Sequence, residues 1–506
     1  MNPEPTRQGA ATHTPEHFAA LFDPRGVVVA GASTHPGKFG FVSLHNILTS
    51  GYRGKVFATN RDGSDVLGIR CLESVSELPA GEVDLMFVCT PKAAVPELLR
   101  EAAGRGIRAA FLTTAGYGEA GAHGARDEAE LVELADSLGI LVVGPNGQGV
   151  VSTPSSLCAQ IVAPYPPSGS IGVASQSGNF VSSFLNLACA TGVGISRAVS
   201  AGNAAATSVA DLLEYFSQDP RTSVALAYLE GIDDGASLAS TFSTVAAKMP
   251  LVVLKGGSTS GGARAAASHT GSLATDDRSF GGMCAQTGAT RAGTVAEAFE
   301  AAATFATQPL PRGNRVVVMT TAGGWGVVTA DAITRHRDLE LLALPEDLRR
   351  AIDELLPPRW SRNNPIDLAG GETRDTIPEV LRLVAEHDEV DAVIHLGLGI
   401  QANQARMLRE GGFYGTDGDD EYGIQRIVAY HERQDARFAT AAAEISESTR
   451  KPILTASELA VAFPDNAGPA AVREAGRLCY SSADRAVAAL GHLVRRSRYL
   501  KRRGID

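Results

Sequence analysis

Short, uninterrupted apolar runs, separated by longer amphipathic segments, constrain the fold of this chain more than any other feature of its sequence. GVVVAGAS (26–33), VDLMFVCTP (83–91) and ILVVGPNG (140–147) are runs of this kind, and AAVPELLREAAGRG (93–106) is one of the helical segments between them. An apolar run that does not alternate with polar residues indicates a strand covered on both faces, as in a parallel sheet. Five such strands before residue 144 predict a doubly wound α/β domain.

Two further strand–helix series follow the first. We predict a flexible tail at 1–14, a Rossmann-like domain at 15–150, and two flavodoxin-like α/β domains at 151–310 and 311–506. An acidic tract interrupts the last domain at about 401–448. Its GGFYGTDGDDEYG lacks the spacing and terminal glutamate of a calcium loop. We therefore predict a solvated loop, then a helix over IQRIVAYHERQDARFATAAAEI (424–445), and no metal site.

Charge and composition narrow the class of protein. The 506-residue chain has a formal net charge of −11, which argues against nucleic-acid or anionic-membrane partners. Its six cysteines form no C-x-x-C pair, its N-terminus lacks a signal-peptide pattern, and no stretch approaches the ~20 apolar residues of a membrane span. We expect a soluble, cytoplasmic protein with reduced thiols.

The first strand ends in small residues, Gly31, Ala32 and Ser33, where doubly wound sheets bind ligands. The second strand leads into Asn60 and Arg61 rather than into the acidic residue that holds the ribose of NAD. A cation suits a phosphorylated ribose, which both coenzyme A and NADP carry. The residues alone do not separate these two ligands.

A second candidate site centres on His269, which lies in the small-residue segment ARAAASHTGSLA (263–274) after the strand that ends at Lys255. We expect a mobile loop at the carboxyl end of that strand. Glu230 ends another strand and could orient the imidazole, leaving its other nitrogen as a nucleophile. A strand-to-helix turn with free amides and hydroxyls could receive an anion; it consists of Ser175, Gln176, Ser177 and Gly178. Together these groups predict phosphoryl transfer through a phosphohistidine.

Seven motifs together resemble the NDP-forming acyl-CoA synthetases: ARAAASHTGSLA, ASQSGNF, AYLEGI, VVLKGG, GPNGQGV, TTAGGWGV and NPIDL. The resemblance runs from about residue 16 to 497; the histidine motif is highly specific, and the glycine turns are weaker individually but follow the family's order. More narrowly, they resemble α subunits of the ADP-forming acetate–CoA ligase type, relatives of succinyl-CoA synthetase. The resemblance implies a CoA-binding domain and a reversible reaction that converts acid, CoA and ATP to acyl-CoA, ADP and phosphate.

Residue roles follow from the same resemblance. It implies that His269 is phosphorylated, that Glu230 holds it, and that the Ser175–Gly178 turn binds phosphate. The CoA-binding edge would comprise Gly31, Ala32, Ser33, Asn60, Thr90, Pro91, Ala115 and Gly116.

The chain departs from the family pattern at several positions. Gly147 stands where the family often has a cysteine, Arg61 replaces a proline, and Trp325 replaces the proline of a GGPG turn. No ATP-grasp domain follows residue 497. We therefore expect a separate ATP-grasp β subunit to bind ATP or ADP and Mg²⁺. The expected assembly is an α₂β₂ hetero-oligomer or a homo-oligomer. The small-molecule partners would be a carboxylic acid and CoA.

Two other functions stay open at this point. The altered turns allow a CoA-binding sensor or scaffold with reduced catalysis, although such a protein would gain nothing obvious from His269 and Glu230. An NADP-dependent oxidoreductase fits less well, because the chain lacks a strict dinucleotide fingerprint and an assigned hydride site.

Overall fold

The computed structural model describes residues 13–232, 234–262, 264, 276–368, 376–415, 420 and 422–505. The chain divides into two compact units. The first comprises residues 1–190 and 194–302, and the second comprises 191–193 and 303–506. The predicted tail lies outside the described residues apart from its last two positions.

The first sheet of unit 1 is parallel and has the strand order β2-β1-β5-β6-β7. Its strands are β1 (Gly26–Ala30), β2 (Lys55–Thr59), β5 (Leu85–Val88), β6 (Ala109–Leu112) and β7 (Leu141–Val143). Between β2 and β5 lies a small antiparallel pair, β3 (Asp65–Val66) and β4 (Ile69–Arg70). Strands β1, β5, β6 and β7 are buried along their whole length, as their continuous apolar runs predict. The doubly wound α/β prediction is confirmed.

The second sheet of unit 1 has seven strands in the order β14-β13-β12-β10-β11-β8-β9. They are β8 (Gly149–Ser152), β9 (Leu157–Gln160), β10 (Ser168–Ser175), β11 (Ile195–Ser200), β12 (Val224–Leu229), β13 (Leu251–Lys255) and β14 (Thr290–Ala292). The strands β10 to β14 run parallel, whereas β8 and β9 form an antiparallel extension at one edge. Gly149 and Val150 therefore lie in the second sheet, just before the predicted domain boundary. The domain limits remain a prediction.

Unit 2 contains a six-stranded sheet whose described strands pair in parallel. Its strands are β15 (Arg315–Thr320), β16 (Glu340–Leu341), β17 (Ile366–Asp367), β18 (Ala392–Leu396), β19 (Ile453–Ala456) and β20 (Cys479–Tyr480). The main path is β16-β15-β18-β19-β20, and β17 pairs with the end of β15. This order matches the flavodoxin-like doubly wound pattern.

Helices connect the strands and cover the sheets. In unit 1 and at its border they are α1 (Pro15–Phe22), α2 (Phe39–Thr49), α3 (Val95–Gly104), α4 (Ala122–Leu138), α5 (Gly178–Thr191), α6 (Val209–Phe216), α7 (Gly235–Lys248), α8 (Asp277–Thr287) and α9 (Val295–Thr307). In unit 2 they are α10 (Gly323–Arg335), α11 (Glu346–Asp353), α12 (Thr376–Glu386), α13 (Ile400–Glu410), α14 (Ile424–Thr449), α15 (Leu459–Ala462), α16 (Ala467–Glu474) and α17 (Ala483–Arg503). No described helix combines the length and apolar character needed to cross a bilayer.

The acidic tract at 401–448 is more helical than its composition indicates. The predicted helix at 424–445 is confirmed as α14, but the tract begins with an unpredicted helix, α13. The buried carboxylate of Asp435 on α14 accepts hydrogen bonds from the backbone N–H groups of Gly399 (3.1 Å) and Ala402 (2.6 Å), at the start of α13. A carboxylate at this position satisfies free N-terminal amides of the helix. The side chain that stabilises the start of α13 is thus 36 residues away from Gly399 in the sequence.

Burial raises the pKa of Asp435 from 3.8 to about 6, although its backbone hydrogen bonds favour the charged form. Between these two pKa values the folded chain binds this proton more tightly than the unfolded chain. The contribution of Asp435 to the free energy of unfolding therefore falls as pH rises from 4 to 6, by roughly 3 kcal/mol at most. We predict that the melting temperature of the wild type, relative to that of Asp435→Asn, decreases from pH 4 to pH 7 in thermal scans. A difference that is constant across this range would contradict the assignment.

Candidate functional site

The carboxyl ends of the first-sheet strands bring the eight predicted CoA-binding positions to one edge. Gly31, Ala32 and Ser33 follow β1, and Asn60 follows β2. The remaining four follow β5 and β6 and are Thr90, Pro91, Ala115 and Gly116. The carbonyl of Thr59 at the end of β2 accepts hydrogen bonds from the amides of Gly31 (3.0 Å) and Ala32 (2.9 Å), so the first two loops are joined directly.

Two buried polar atoms at this edge have no hydrogen-bond partner among the described residues, Asn60 Oδ1 and Thr90 Oγ1. The amide nitrogen of Asn60 donates to the Ser64 carbonyl (3.2 Å) and hydroxyl (2.9 Å), which fixes the direction of the free oxygen. The carbonyl of Thr90 accepts from the Thr114 hydroxyl (2.9 Å). Buried polar atoms without partners are uncommon in folded proteins, and a ligand with polar groups would satisfy these two.

The cations near this edge fall into two groups. Lys92 is tied to the carbonyl of Gly116 (2.6 Å), to the carboxylate of Asp127 and to the ring of Tyr117. Lys38 and Arg61 are exposed, and no ion pair within the described part of the chain involves either one. These two cations are therefore available to a phosphorylated ligand, whereas Lys92 shapes the loop that contains Gly116.

The turn from Ser175 to Gly178 lies at the carboxyl end of the second sheet and is closed by its own side chains. The hydroxyl of Ser175, the last residue of β10, accepts from the amide of Ser177 (3.1 Å) and donates to its carbonyl (2.7 Å). Helix α5 then begins at Gly178, so its first amides lie at this turn. The free N–H groups of a helix start are suited to an anion.

Glu230 meets this turn through Gln176. The Gln176 side-chain oxygen accepts from the backbone amides of Glu230 (2.5 Å) and Gly231 (3.2 Å), immediately after β12. Burial, together with the neighbouring carboxylate of Glu230, raises the pKa of the Tyr228 phenol well above its usual value. Phe180 stacks on Tyr228 with ring centroids 3.8 Å apart. The structure thus brings Glu230 and the predicted phosphate turn together.

His269 lies outside the described residues. Lys255, from which its segment departs, ends β13 beside the end of β12, with Leu229 and Lys255 paired in register. Burial lowers the pKa of the Lys255 ammonium, which donates to the carbonyl of Gly256 (3.1 Å). The role of His269 therefore stays a prediction. Among the described residues no group of three or more His, Cys, Asp or Glu side chains could hold a metal ion.

The segment Gly144–Gln148 joins the two edges, which the sequence analysis did not predict. Its amides at Asn146 and Gly147 donate to the carbonyls of Thr114 (2.9 Å) and Leu112 (3.1 Å) at the end of the first sheet. On its other side, the Pro145 carbonyl accepts from the amide of Asn203 (3.0 Å), and the Gln148 amide donates to the Ser200 hydroxyl (3.1 Å). The small-residue motifs GPNGQGV and AGNAAA, in which these loops lie, were the available signal.

Gly147 has no room for a side chain. A Cβ atom at this position would lie 2.6 Å from the Phe111 ring and 2.7 Å from the Ser200 carbonyl oxygen. Both distances are shorter than Cβ contacts allow, and the second involves backbone that cannot rotate away. The glycine found where the family often has a cysteine is therefore required by the packing of this segment.

We predict that Gly147→Cys lowers the free energy of unfolding by about 1–3 kcal/mol, because the added atoms overpack the junction. Gly282→Cys is the matched control, since Gly282 lies in α8 with open space where its Cβ would be. Urea denaturation of both variants measures the difference. Equal stability of the two variants would show that position 147 tolerates a thiol.

Three family models match successive parts of the chain. They are described as a CoA binding domain (residues 25–153), a succinyl-CoA ligase like flavodoxin domain (168–305) and a Ligase-CoA domain (316–400). Together they match more than half of the 506 residues and follow the three sheets in order.

Two curated relatives come from Pyrococcus furiosus. Subunit alpha of acetate–CoA ligase [ADP-forming] II is 37% identical over 374 residues, which are 74% of this chain and 81% of the relative. Subunit alpha of acetate–CoA ligase [ADP-forming] I is 36% identical over 395 residues, which are 77% of this chain and 85% of the relative.

A solved structure agrees with these relatives. It is the dinucleotide forming acetyl-coenzyme A synthetase 1 of Ca. Korarchaeum cryptofilum, in complex with phosphate and ADP. The alignment has a TM-score of 0.80 and 29% identity, and it covers 97% of this chain and 99% of that chain. The two other functions considered from the sequence, an NADP-dependent oxidoreductase and a sensor or scaffold, receive no support from these relatives.

Proposed function

Because the chain belongs to the ADP-forming acyl-CoA synthetase family, of the α-subunit type, we propose that it carries the CoA-dependent half of a reversible acyl-CoA synthetase reaction. The observation that carries this proposal lies within unit 1. One hydrogen-bonded segment, Gly144–Gln148, joins two features there. The first is the predicted CoA-binding edge, with its two buried polar atoms that have no partner among the described residues, and the second is the predicted phosphate turn.

The proposed reaction, written from acyl-CoA to ATP, has three steps. Phosphate attacks the acyl carbon of acyl-CoA, and the C–S bond breaks to give an acyl phosphate and free CoA. An imidazole nitrogen of His269 then attacks the phosphorus, and the acid leaves as a carboxylate. ADP finally takes the phosphoryl group from the histidine and becomes ATP.

The first-sheet edge fits CoA. Asn60 Oδ1 and Thr90 Oγ1 supply polar groups without protein partners, and Lys38 and Arg61 supply cations for the phosphates. Gly31, Ala32 and Ser33 leave space for the ligand to approach the backbone, and Pro91, Ala115 and Gly116 complete the same edge. The amides at the start of α2 add further donors for an anion.

The second-sheet turn fits phosphate and the phosphorylated imidazole. The amides at the start of α5, from Gly178 onward, are the donors for an anion; the Ser175 hydroxyl and the Ser177 amide hold the turn that precedes them, and Gln176 fixes the end of β12 beside it. Glu230 would accept the hydrogen of one imidazole nitrogen of His269 and leave the other nitrogen free to attack. The carboxylate of Glu230 is close enough to the Tyr228 phenol to raise the pKa of that phenol.

A separate ATP-grasp β subunit would bind ATP or ADP and Mg²⁺, and two copies of each chain would form an α₂β₂ assembly. The proposed location is the cytoplasm, because the reaction would consume ATP and CoA together with a small carboxylic acid. The support for a partner is that the relatives in Pyrococcus furiosus are named as alpha subunits.

We predict an acid-labile, base-stable phosphate on His269 after incubation with ATP, Mg²⁺ and an ATP-grasp β subunit of the family. His269→Ala carries no such label, because the nucleophile is lost. Glu230→Gln lowers the initial labelling rate about 10–100-fold, because an amide no longer stabilises a protonated ring. Radiolabelling followed by acid and base treatment measures both. Equal label in wild type and His269→Ala would remove the phosphohistidine from the proposal.

We also predict that the chain alone binds CoA and does not bind NADPH, as measured by titration calorimetry. Thr90→Val should weaken CoA binding about tenfold, because it replaces the free hydroxyl with a methyl group of similar size. Thr307→Val is the matched control, because the Thr307 hydroxyl donates to the Ala303 carbonyl within α9. This variant should bind CoA as the wild type does. Binding of NADPH but not CoA would contradict the proposed function.

A further inference from the structure

Neither the family motifs nor the proposed reaction steps assign a role to Asn203, although its side chain links the loop after β11 to the first-sheet edge. It lies in the loop after β11, and its side chain makes contacts in three directions. The Nδ2 atom donates to the carboxylates of Glu119 (2.6 Å) and Glu128 (2.7 Å), and Oδ1 accepts from the Asn146 side chain (3.4 Å). One amide thus satisfies two carboxylates and reaches the segment that joins the two sheets.

The two carboxylates hold the backbone of the predicted CoA-binding edge. Glu119 accepts from the amides of Gly116 and Tyr117 (3.3 Å), and Glu128 accepts from the amide of Gly118 (3.1 Å). These hydrogen bonds determine the path of residues 116–118, which continue directly from Ala115. The hydrogen bond from Asn203, together with other contacts, holds the pKa of Glu119 below its usual value.

The same loop contacts the predicted phosphate turn. The amide of Ala201, two residues before Asn203, donates to the carbonyl of Ser175 (2.7 Å). The backbone amide of Asn203 itself donates to the Pro145 carbonyl (3.0 Å). Asn203 also lines a cavity of about 550 Å³ together with Gln176 and Glu128. The loop 201–203 therefore has the phosphate turn at one end and the CoA-binding edge at the other.

We propose that Asn203 is a positioning residue that fixes the Gly116–Gly118 backbone relative to the phosphate turn, so that bound CoA lies in register with the phosphate that attacks its thioester. This inference rests on the proposed function, because it assigns the first edge to CoA. Asn203 acts through Glu119 and Glu128 and not by contact with the reacting atoms.

An amide is the group that suits this junction. Its two N–H bonds give each carboxylate one hydrogen, and charge-assisted hydrogen bonds of this kind are stronger than neutral ones. An aspartate has the same shape but would place a third carboxylate within hydrogen-bonding distance of the other two. Repulsion would then move the 116–118 backbone away from its position.

The test compares CoA binding by the full-length wild type and variants in titration calorimetry. Asn203→Asp should weaken CoA binding roughly tenfold or more, and Asn203→Ala should weaken it less, because it removes the hydrogen bonds without adding a charge. Asn186→Asp is the control: it adds the same charge at an exposed position of α5, where the Asn186 amide donates to the Ser182 carbonyl. That control should bind CoA as the wild type does.

A variant in which the amide and carboxylate groups change places distinguishes a positioning role of Asn203 from a general loss of structure. In the triple variant Glu119→Gln, Glu128→Gln and Asn203→Asp, two amides face one carboxylate, and the glutamine oxygens can still accept from the backbone. Its affinity for CoA should return to within about threefold of the affinity of Glu119→Gln/Glu128→Gln. Wild-type affinity in both Asn203 variants, or a triple variant as weak as Asn203→Asp, would overturn the inference. Failure of the wild type to bind CoA would instead count against the proposed function.

Discussion

The hydrogen bonds of the segment Gly144–Gln148 are the contacts on which the candidate site depends. This segment donates amides to the carbonyls at the end of β6 and, on its other side, bonds to the loop after β11. The carboxyl ends of the parallel strands in two separate sheets are thereby held together within one unit. The predicted CoA-binding edge and the predicted phosphate turn would thereby form parts of one site. The lack of a side chain at Gly147 is what permits this contact, since a Cβ there would meet Phe111 and the Ser200 carbonyl.

The charged side chains around the first-sheet edge fall into two groups: those paired within the structure and those available to a ligand. Lys92, Asp127, Glu119 and Glu128 are committed to backbone groups and to one another. Lys38 and Arg61 take part in no ion pair among the described residues, so positive charge is left where phosphates of CoA would bind. At the other edge, Gln176 accepts a hydrogen bond from the backbone of Glu230 and so orients the end of β12. The carboxylate of Glu230 lies near Tyr228 and, in the proposed reaction, would bind the imidazole of His269. Loop geometry is set by paired charges, and the proposed chemistry uses the unpaired ones.

The sequence predicted the elements whose signal is local. Strands such as β1, β5 and β7 are continuous apolar runs, and a buried parallel strand leaves that pattern in any such chain. The antiparallel pair β8 and β9 was missed, because a short edge hairpin lacks such a run. Helix α13 was missed because Asp435, far along the chain, stabilises its start. The candidate site residues were predicted from separate motifs, whereas the contacts of Asn203 join residues up to 84 positions apart in the sequence.

Hydrogen–deuterium exchange of the chain with and without CoA tests the central claim most directly, because it reports on every loop at once. The account predicts slower exchange in peptides that contain residues 31–33, 60, 90–91 and 115–118, and, through the junction, in the loop 201–203. Peptides from the sheet of unit 2 should exchange at unchanged rates. Protection confined to unit 2, or no protection at the first-sheet edge when CoA is bound, would contradict the account.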